Sequence, residues 1–178
     1  LANNASPSSS RCALICANAD FGIKISPRTS RVSGCRKRMG KEIKFTRKIE
    51  TKTAENSYKD SQGKEYYYDV LGVKDSEQYL IRSDGYDGFV WYSQLDPTHK
   101  RRAEMGSFSE TVKTAGKTYE NCLLVTYSMS MPDGAAFIEK VWYAKNVGMV
   151  KRQILTLKPN GKFSVQEEIH LESHKKAQ

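Results

Sequence analysis

The sequence predicts an all-β protein: an antiparallel meander of about eight or nine strands, curled into a half-barrel or barrel and preceded by a basic, irregular arm. Three observations carry that prediction. From residue 42 onward apolar residues recur at every second position, the period of a half-buried strand, and nowhere at 3.6. The alternating stretches are cut at short intervals by Asp84-Gly85, Asp87-Gly88, Pro132-Asp133-Gly134 and Pro159-Asn160-Gly161, the punctuation of hairpins. Ten Tyr, six Phe and two Trp among 178 residues supply side chains suited to a pleated, half-buried surface. A sheet of that many strands cannot stay flat, so it has to curl or split.

The elements follow in order. Residues 1–40 show no alternation, are Ser-rich, hold a single acid (Asp20) and carry the cluster Arg36-Lys37-Arg38. They are assigned to the arm, 41–173 to the β domain and 174–178 to a tail. In Glu42–Thr51, Ile43, Phe45 and Ile49 share one face, with Glu42, Lys44, Thr46, Lys48 and Glu50 on the other. Residues 52–64 are polar and close at Gly63, the pattern of a loop. Glu65–Val73 is Tyr-rich and reads as one strand. Glu77–Arg82 and Phe89–Ser93 flank the two Asp-Gly pairs and are expected to pair as a hairpin. Around Pro97 the alternation breaks, so 94–107, with Lys100-Arg101-Arg102, reads as a loop or a single helical turn. Phe108–Val112 is a short strand. In Tyr119–Met129 the apolar face is Tyr119, Leu123, Val125, Tyr127 and Met129. A turn at 131–134 leads to Phe137–Ala144, and Asn146-Val147-Gly148 turns into Met149–Leu157. In the last strand, Lys162–Leu171, Phe163, Val165, Ile169 and Leu171 face one way, and only Glu167 breaks the apolar set.

The net charge of +9 sits at one end. Residues 1–48 hold eleven of the 29 cations and two of the 20 acids, so the remainder is neutral. A basic arm on a neutral domain points to an anionic partner or a targeting address rather than to a nucleic-acid-binding fold. Four readings fit the arm: a transit-peptide remnant, an ordered segment lying along a larger assembly, a tail without a role, and translated sequence ahead of a start at Met39. Cys12–Ala17 is short for the apolar region of a secretory signal, and no lipobox is present. No apolar run reaches the ~18 residues of a membrane helix. The expected partner-binding residues are therefore Arg28, Arg31, Arg36, Lys37 and Arg38, set against a protein in a larger assembly or an anionic membrane surface. Only Phe21 and Phe45 accompany these cations, too few aromatics for a nucleic-acid surface.

No motif for catalysis stands out. There is no Gly-x-Ser-x-Gly and no phosphate-binding glycine loop, and His99 sits beside a Lys-Arg-Arg run. His170 and His174 have metal-ligand spacing for a helix, but on a strand they stand about 13 Å apart. Cys12, Cys16, Cys35 and Cys122 lack the second pair a zinc site needs, and Asp84 and Asp87 lack the spacing of a calcium loop. No catalytic residue, metal or cofactor is expected, and the protein reads as a non-catalytic binding or scaffold domain. Tyr68, Trp91, Tyr127 and Trp142 are the candidate lining of a ligand pocket on the concave face. If that face is packed solid instead, the binding surface belongs on an edge or on the arm.

Two stretches resemble small all-β domains of bacterial envelope lipoproteins. Thr114-Ala115-Gly116-Lys117-Thr118-Tyr119-Glu120-Asn121-Cys122-Leu123-Leu124-Val125 is similar to their strand entry P-A-G-T-F-x-N-C-hydrophobic-x-V. Val141-Trp142-Tyr143-Ala144-Lys145-Asn146-Val147-Gly148-Met149-Val150-Lys151-Arg152 is similar to their strand-turn-strand Y-Y-A-K-G-V-G-L-V-K. Thr114 stands where the pattern has Pro, and Asn146 where it has the first turn glycine, a position Asn accepts because it tolerates positive φ. The resemblance covers roughly 112–152. It implies a curved antiparallel sheet of half-barrel type, no reaction, and a place in the bacterial cell envelope or periplasm. The alternative, drawn from the arm, is an accessory subunit targeted to a chloroplast or mitochondrion. A ligand-binding barrel or an enzyme with a barrel-mouth site is the third reading.

Overall fold

The computed structural model describes residues 31–175 apart from 39, 55, 77, 95–99 and 116, and the regular structure in them is all β. The strands are β1 (Arg31–Arg38), β2 (Lys41–Ala54), β3 (Ser57–Asp60), β4 (Glu65–Asp69), β5 (Gly72–Lys74), β6 (Tyr79–Arg82) and β7 (Val90–Gln94). They continue with β8 (Lys100–Met105), β9 (Glu110–Thr114), β10 (Lys117–Ser130), β11 (Ala136–Ala144), β12 (Gly148–Leu157) and β13 (Phe163–Lys175). All pairings are antiparallel, in the order β6-β5-β4-β3-β2-β1-β13-β12-β11-β10-β8-β7, with β9 paired to β10 beside this path.

This is a meander that starts in the middle of its own sheet. The chain walks outward from β1 to β6 at one edge, crosses to β7 at the other, and walks back until β13 pairs with β1. β6 and β7 share no ladder, so the described sheet is curled but not closed. Side chains fasten the gap. The Trp91 Nε1–H donates to the Tyr79 carbonyl at 3.1 Å, and the Tyr127 hydroxyl donates to the Leu80 carbonyl at 2.7 Å. Val73 and Ile81 from one wing join Trp91, Ala103, Met105, Leu123, Val125, Tyr127, Val141 and Tyr143 from the other in one buried cluster. A second cluster, of Val112, Tyr119, Cys122, Ala144, Val150 and Leu171, forms where β9 lies against β12 and β13.

The predicted class holds, and five local expectations are corrected. The arm does not end at residue 40. Arg31–Arg38 is a strand hydrogen-bonded on both sides, from Arg31 opposite Lys48 and Lys175 to Arg38 opposite Lys41 and Glu167. Its cations hide the alternation, and Gly34 stands where a Cβ would come within 2.6 Å of the His170 carbonyl oxygen and 2.8 Å of the Phe45 ring. Glu77–Arg82 and Phe89–Ser93 do not pair. Residues 83–89 carry the chain across the open seam, with Ser83 N–H donating to Leu71 O at 2.9 Å and Gly88 N–H to Met105 O at 2.7 Å.

The strand count rises to thirteen because short strands lie inside stretches read as loop or as one strand. Within 52–64, β2 runs on to Ala54 and β3 follows, its turn held by Asp60 Oδ1, which accepts from Gln62 N–H and Lys64 N–H. Within 65–73, a two-residue turn separates β4 from β5. There Asp69 Oδ1 accepts from Leu71 N–H at 2.9 Å, and Gly72 adopts φ +137° where a Cβ would meet the Ile81 oxygen at 2.1 Å. Lys100–Met105, within the expected loop, is strand β8. The turn expected at 146–148 is present, with Asn146 at φ +59° and Gly148 at +93°.

Candidate functional site

Strand register lays a charged row across the inner face, the face that carries the larger core cluster. Val125 lies opposite Val141, Val141 opposite Arg152, Arg152 opposite Ile169, Ile169 opposite Arg36, and Arg36 opposite Ile43. In the adjoining row Tyr127 lies opposite Glu139, Glu139 opposite Ile154, and Ile154 opposite Glu167. Five charged side chains from five strands meet between these rows. Glu139 accepts from Arg101 and, at 2.5 Å, from Arg152 Nε. Glu167 lies 3.7 Å from Arg152 Nη1 and 3.6 Å from Arg36 Nε.

Burying ionised groups is costly unless each has a partner, and here every member of the row has one. The Arg101 guanidinium also stacks 4.5 Å over the Tyr127 ring. Along the row the arginines become more exposed, from 14% at Arg101 through 29% at Arg152 to 40% at Arg36, while Glu139 and Glu167 stay buried. The inner face is therefore filled toward β8 and open toward β1 and β2. Arg36 Nε is itself buried and makes no hydrogen bond.

Three of the four predicted pocket residues do come together, in and against the larger buried cluster. Trp91 and Tyr127 are buried edge to face at 6.4 Å, with their polar atoms committed to β6 carbonyls. Tyr68 packs against the same cluster, edge-on to Tyr58 at 5.7 Å. Burial, helped by Tyr58 and Tyr66, pushes its hydroxyl far above the ordinary tyrosine range. Trp142 does not join them. It lies opposite Leu124 and Lys151, an odd number of residues from Glu139 and so on the other face. It packs against the second cluster, with the Lys151 ammonium 5.1 Å over its ring.

Of the predicted partner-binding cations, Arg28 lies outside the described residues, and Arg31 opens β1. Arg36 is corrected from a free contact to a member of the inner row. Lys37 and Arg38 are exposed, and Lys41 and Lys44 follow them on β2, so the β1–β2 hairpin forms a cationic rim. Two of them make long, exposed ion pairs, Lys37 with Glu42 at 3.9 Å and Lys44 with Glu172 at 4.0 Å. The run at 100–102 is divided by strand alternation. Arg101 points inward, while Arg102 is paired with Glu104 at 2.5 Å.

His170, on β13 between β1 and β12, is on the face opposite the charged row and lies 3.2 Å from Glu168. Burial acts to raise the Glu168 pKa, but hydrogen bonds from Gln153, Lys151 and His170 outweigh it and hold the carboxyl below its usual range. Among the described residues no group of His, Cys, Asp and Glu is placed to hold a metal. Cys35 and Cys122 are free, buried thiols, and burial pushes Cys122 up. Sequence reasoning missed Glu139 and Arg152. The one visible signal was an acid in an apolar register: Glu167 in the last strand, and Glu139 alternating with Val141 and Tyr143.

No family model matches the chain, and no curated protein matches it. Two solved structures are similar in fold. One, from Parabacteroides distasonis and provisionally named a lipoprotein, is 13% identical with a TM-score of 0.46, covering 84% of this chain and 96% of its own. The other, from Bacteroides fragilis and provisionally named an exported protein with a YmcC-like fold, is 14% identical with a TM-score of 0.43, covering 83% and 95%. Likeness at this level assigns neither a family nor a function.

Proposed function

We propose that the chain is a non-catalytic binding domain that docks through its cationic β1–β2 rim rather than through an interior pocket. One observation carries this reading: Trp91 and Tyr127, which would have to line a pocket, are buried and hydrogen-bonded to the Tyr79 and Leu80 carbonyls. The charge left for a partner is then Lys37, Arg38, Lys41 and Lys44, whose exposed carboxylate contacts at 3.9 and 4.0 Å contribute little. Such a surface fits an anionic partner and a contact weakened by salt. A place in the bacterial cell envelope belongs to the proposal. Its support is the sequence resemblance over 112–152, and nothing in the described residues favours the organellar alternative.

The test is retention of the full chain on immobilised polyglutamate as salt is raised. The wild type should be held at low salt and released as screening increases. The variant Lys37→Glu/Arg38→Glu/Lys41→Glu should bind at least about tenfold more weakly, with an unchanged melting midpoint. Retention of that variant equal to wild type would overturn the rim as the docking surface.

A further inference from the structure

We propose that the anionic partner is a lipid bilayer, met end-on by three hairpin turns. This rests on the rim being the docking surface. Register brings the turns to one end of the sheet. Arg38, the last residue of β1, lies opposite Glu167, so the β12–β13 hairpin continues past β1 by four residues of β13, about 13 Å. Ser130 lies opposite Ala136, Ala136 opposite Leu157, and Leu157 opposite Phe163, which places the turn at 131–135 beside the turn at 158–162. The latter is compact, with Lys158 N–H donating to Lys162 O at 3.0 Å and Gly161 N–H to Lys158 O at 2.9 Å.

These turns expose what a protein surface ordinarily hides. Phe163 is 62% exposed, Val165 58% and Met131 43%. The exposed cations Lys158 and Lys162 flank them on the β12–β13 turn, and Lys37, Arg38 and Lys41 follow on the β1–β2 hairpin set back from it, against the exposed acids Asp133 and Glu42. An acidic protein surface would be matched by the cations alone. Exposed apolar side chains on and beside compact turns, with lysines on the same end of the sheet, match a partner with negative charge at its surface and hydrocarbon beneath. The lysine stems can lie along the apolar layer while their ammonium groups stay at the headgroups. The chemistry selected is that of an anionic phospholipid in a bilayer, with shallow seating of Phe163, Val165 and Met131 and no crossing of the membrane.

The experiment is co-sedimentation of the full chain with vesicles of phosphatidylcholine alone or mixed with phosphatidylglycerol, beside retention on polyglutamate. Binding is expected to the mixed vesicles, not to phosphatidylcholine alone, and to fall with salt. Phe163→Ser/Val165→Ser should weaken vesicle binding at least about tenfold while leaving polyglutamate retention unchanged, because these side chains are seated in hydrocarbon only on the bilayer. Lys158→Glu/Lys162→Glu should weaken vesicle binding as well. Both pairs are exposed, and melting midpoints equal to wild type separate lost docking from lost folding. If polyglutamate is bound but mixed vesicles are not, or if Phe163→Ser/Val165→Ser binds vesicles as wild type does, the bilayer is overturned and an acidic protein surface takes its place. If neither probe is bound, the rim reading falls with it.

Discussion

A chain lacking residues 1–38 is expected not to fold, whereas removing residues 1–30 takes nothing from the described sheet and should leave it cooperative. β1 is hydrogen-bonded along both edges, to β2 and to β13. Without it the two wings are joined by no ladder, two rows of backbone N–H and C=O groups lose their partners, and Glu167 loses Arg36. A typical domain is stable by about 5–15 kcal/mol in all, and the loss of a central strand exceeds that margin. Far-ultraviolet circular dichroism and urea unfolding of the two truncated chains provide the check. A cooperative transition at the wild-type midpoint in the chain lacking residues 1–38 would contradict the strand order. This prediction reverses the sequence-based boundary, which set residues 1–40 outside the β domain.

The second large effect is expected at Glu139. Glu139→Ala should lower unfolding free energy by about 3 kcal/mol, because Arg101 and Arg152 both lose the carboxylate that stands between them in a largely buried row. The cost lies in two arginines losing a buried counter-charge rather than in any net worth of the pairs. Replacing Arg101, Glu139 and Arg152 together by Met should therefore recover most of it. Urea denaturation of the single and triple variants measures both. A single variant within about 0.5 kcal/mol of wild type would mean that the row behaves as a solvated surface.

The fold class was legible because alternation and turn chemistry are local. Phe163, Val165, Ile169 and Leu171 announce a strand without reference to anything else, and Asn146 and Gly148 announce a turn. What was not legible depends on residues far away in sequence. β1 has no alternation of its own; it is a strand because β2 and β13 supply ladders on both sides and Glu167 supplies Arg36 with a counter-charge. The two Asp-Gly pairs looked like a hairpin, yet β6 and β7 close opposite edges of a curled sheet, and of the two glycines Gly88 serves a positive φ of 86° and Gly85 serves close packing. At Gly85 a Cβ would stand 2.0 Å from the Met105 sulfur. The candidate site was half visible. Glu167 stood out as the one break in an apolar register, but its meaning needed the register that brings Arg36 and Arg152 to it. Trp142 was grouped with Tyr127 because both are large and aromatic, and only cross-strand pairing shows that they lie on different faces.

Docking through the rim rather than through an interior pocket requires the inner face around Trp91 to be filled, and fluorescence of Trp91 reads that region most directly. The chain has two tryptophans, so Trp142→Phe isolates the signal. With Trp91 buried beside Tyr127 and Phe89, emission should lie at short wavelength, resist quenching by iodide and acrylamide, and stay unchanged when a fatty acid is added. A Trp91 that is readily quenched, and whose quenching is relieved by the fatty acid, would show an open inner face and make the protein a ligand-binding half-barrel instead.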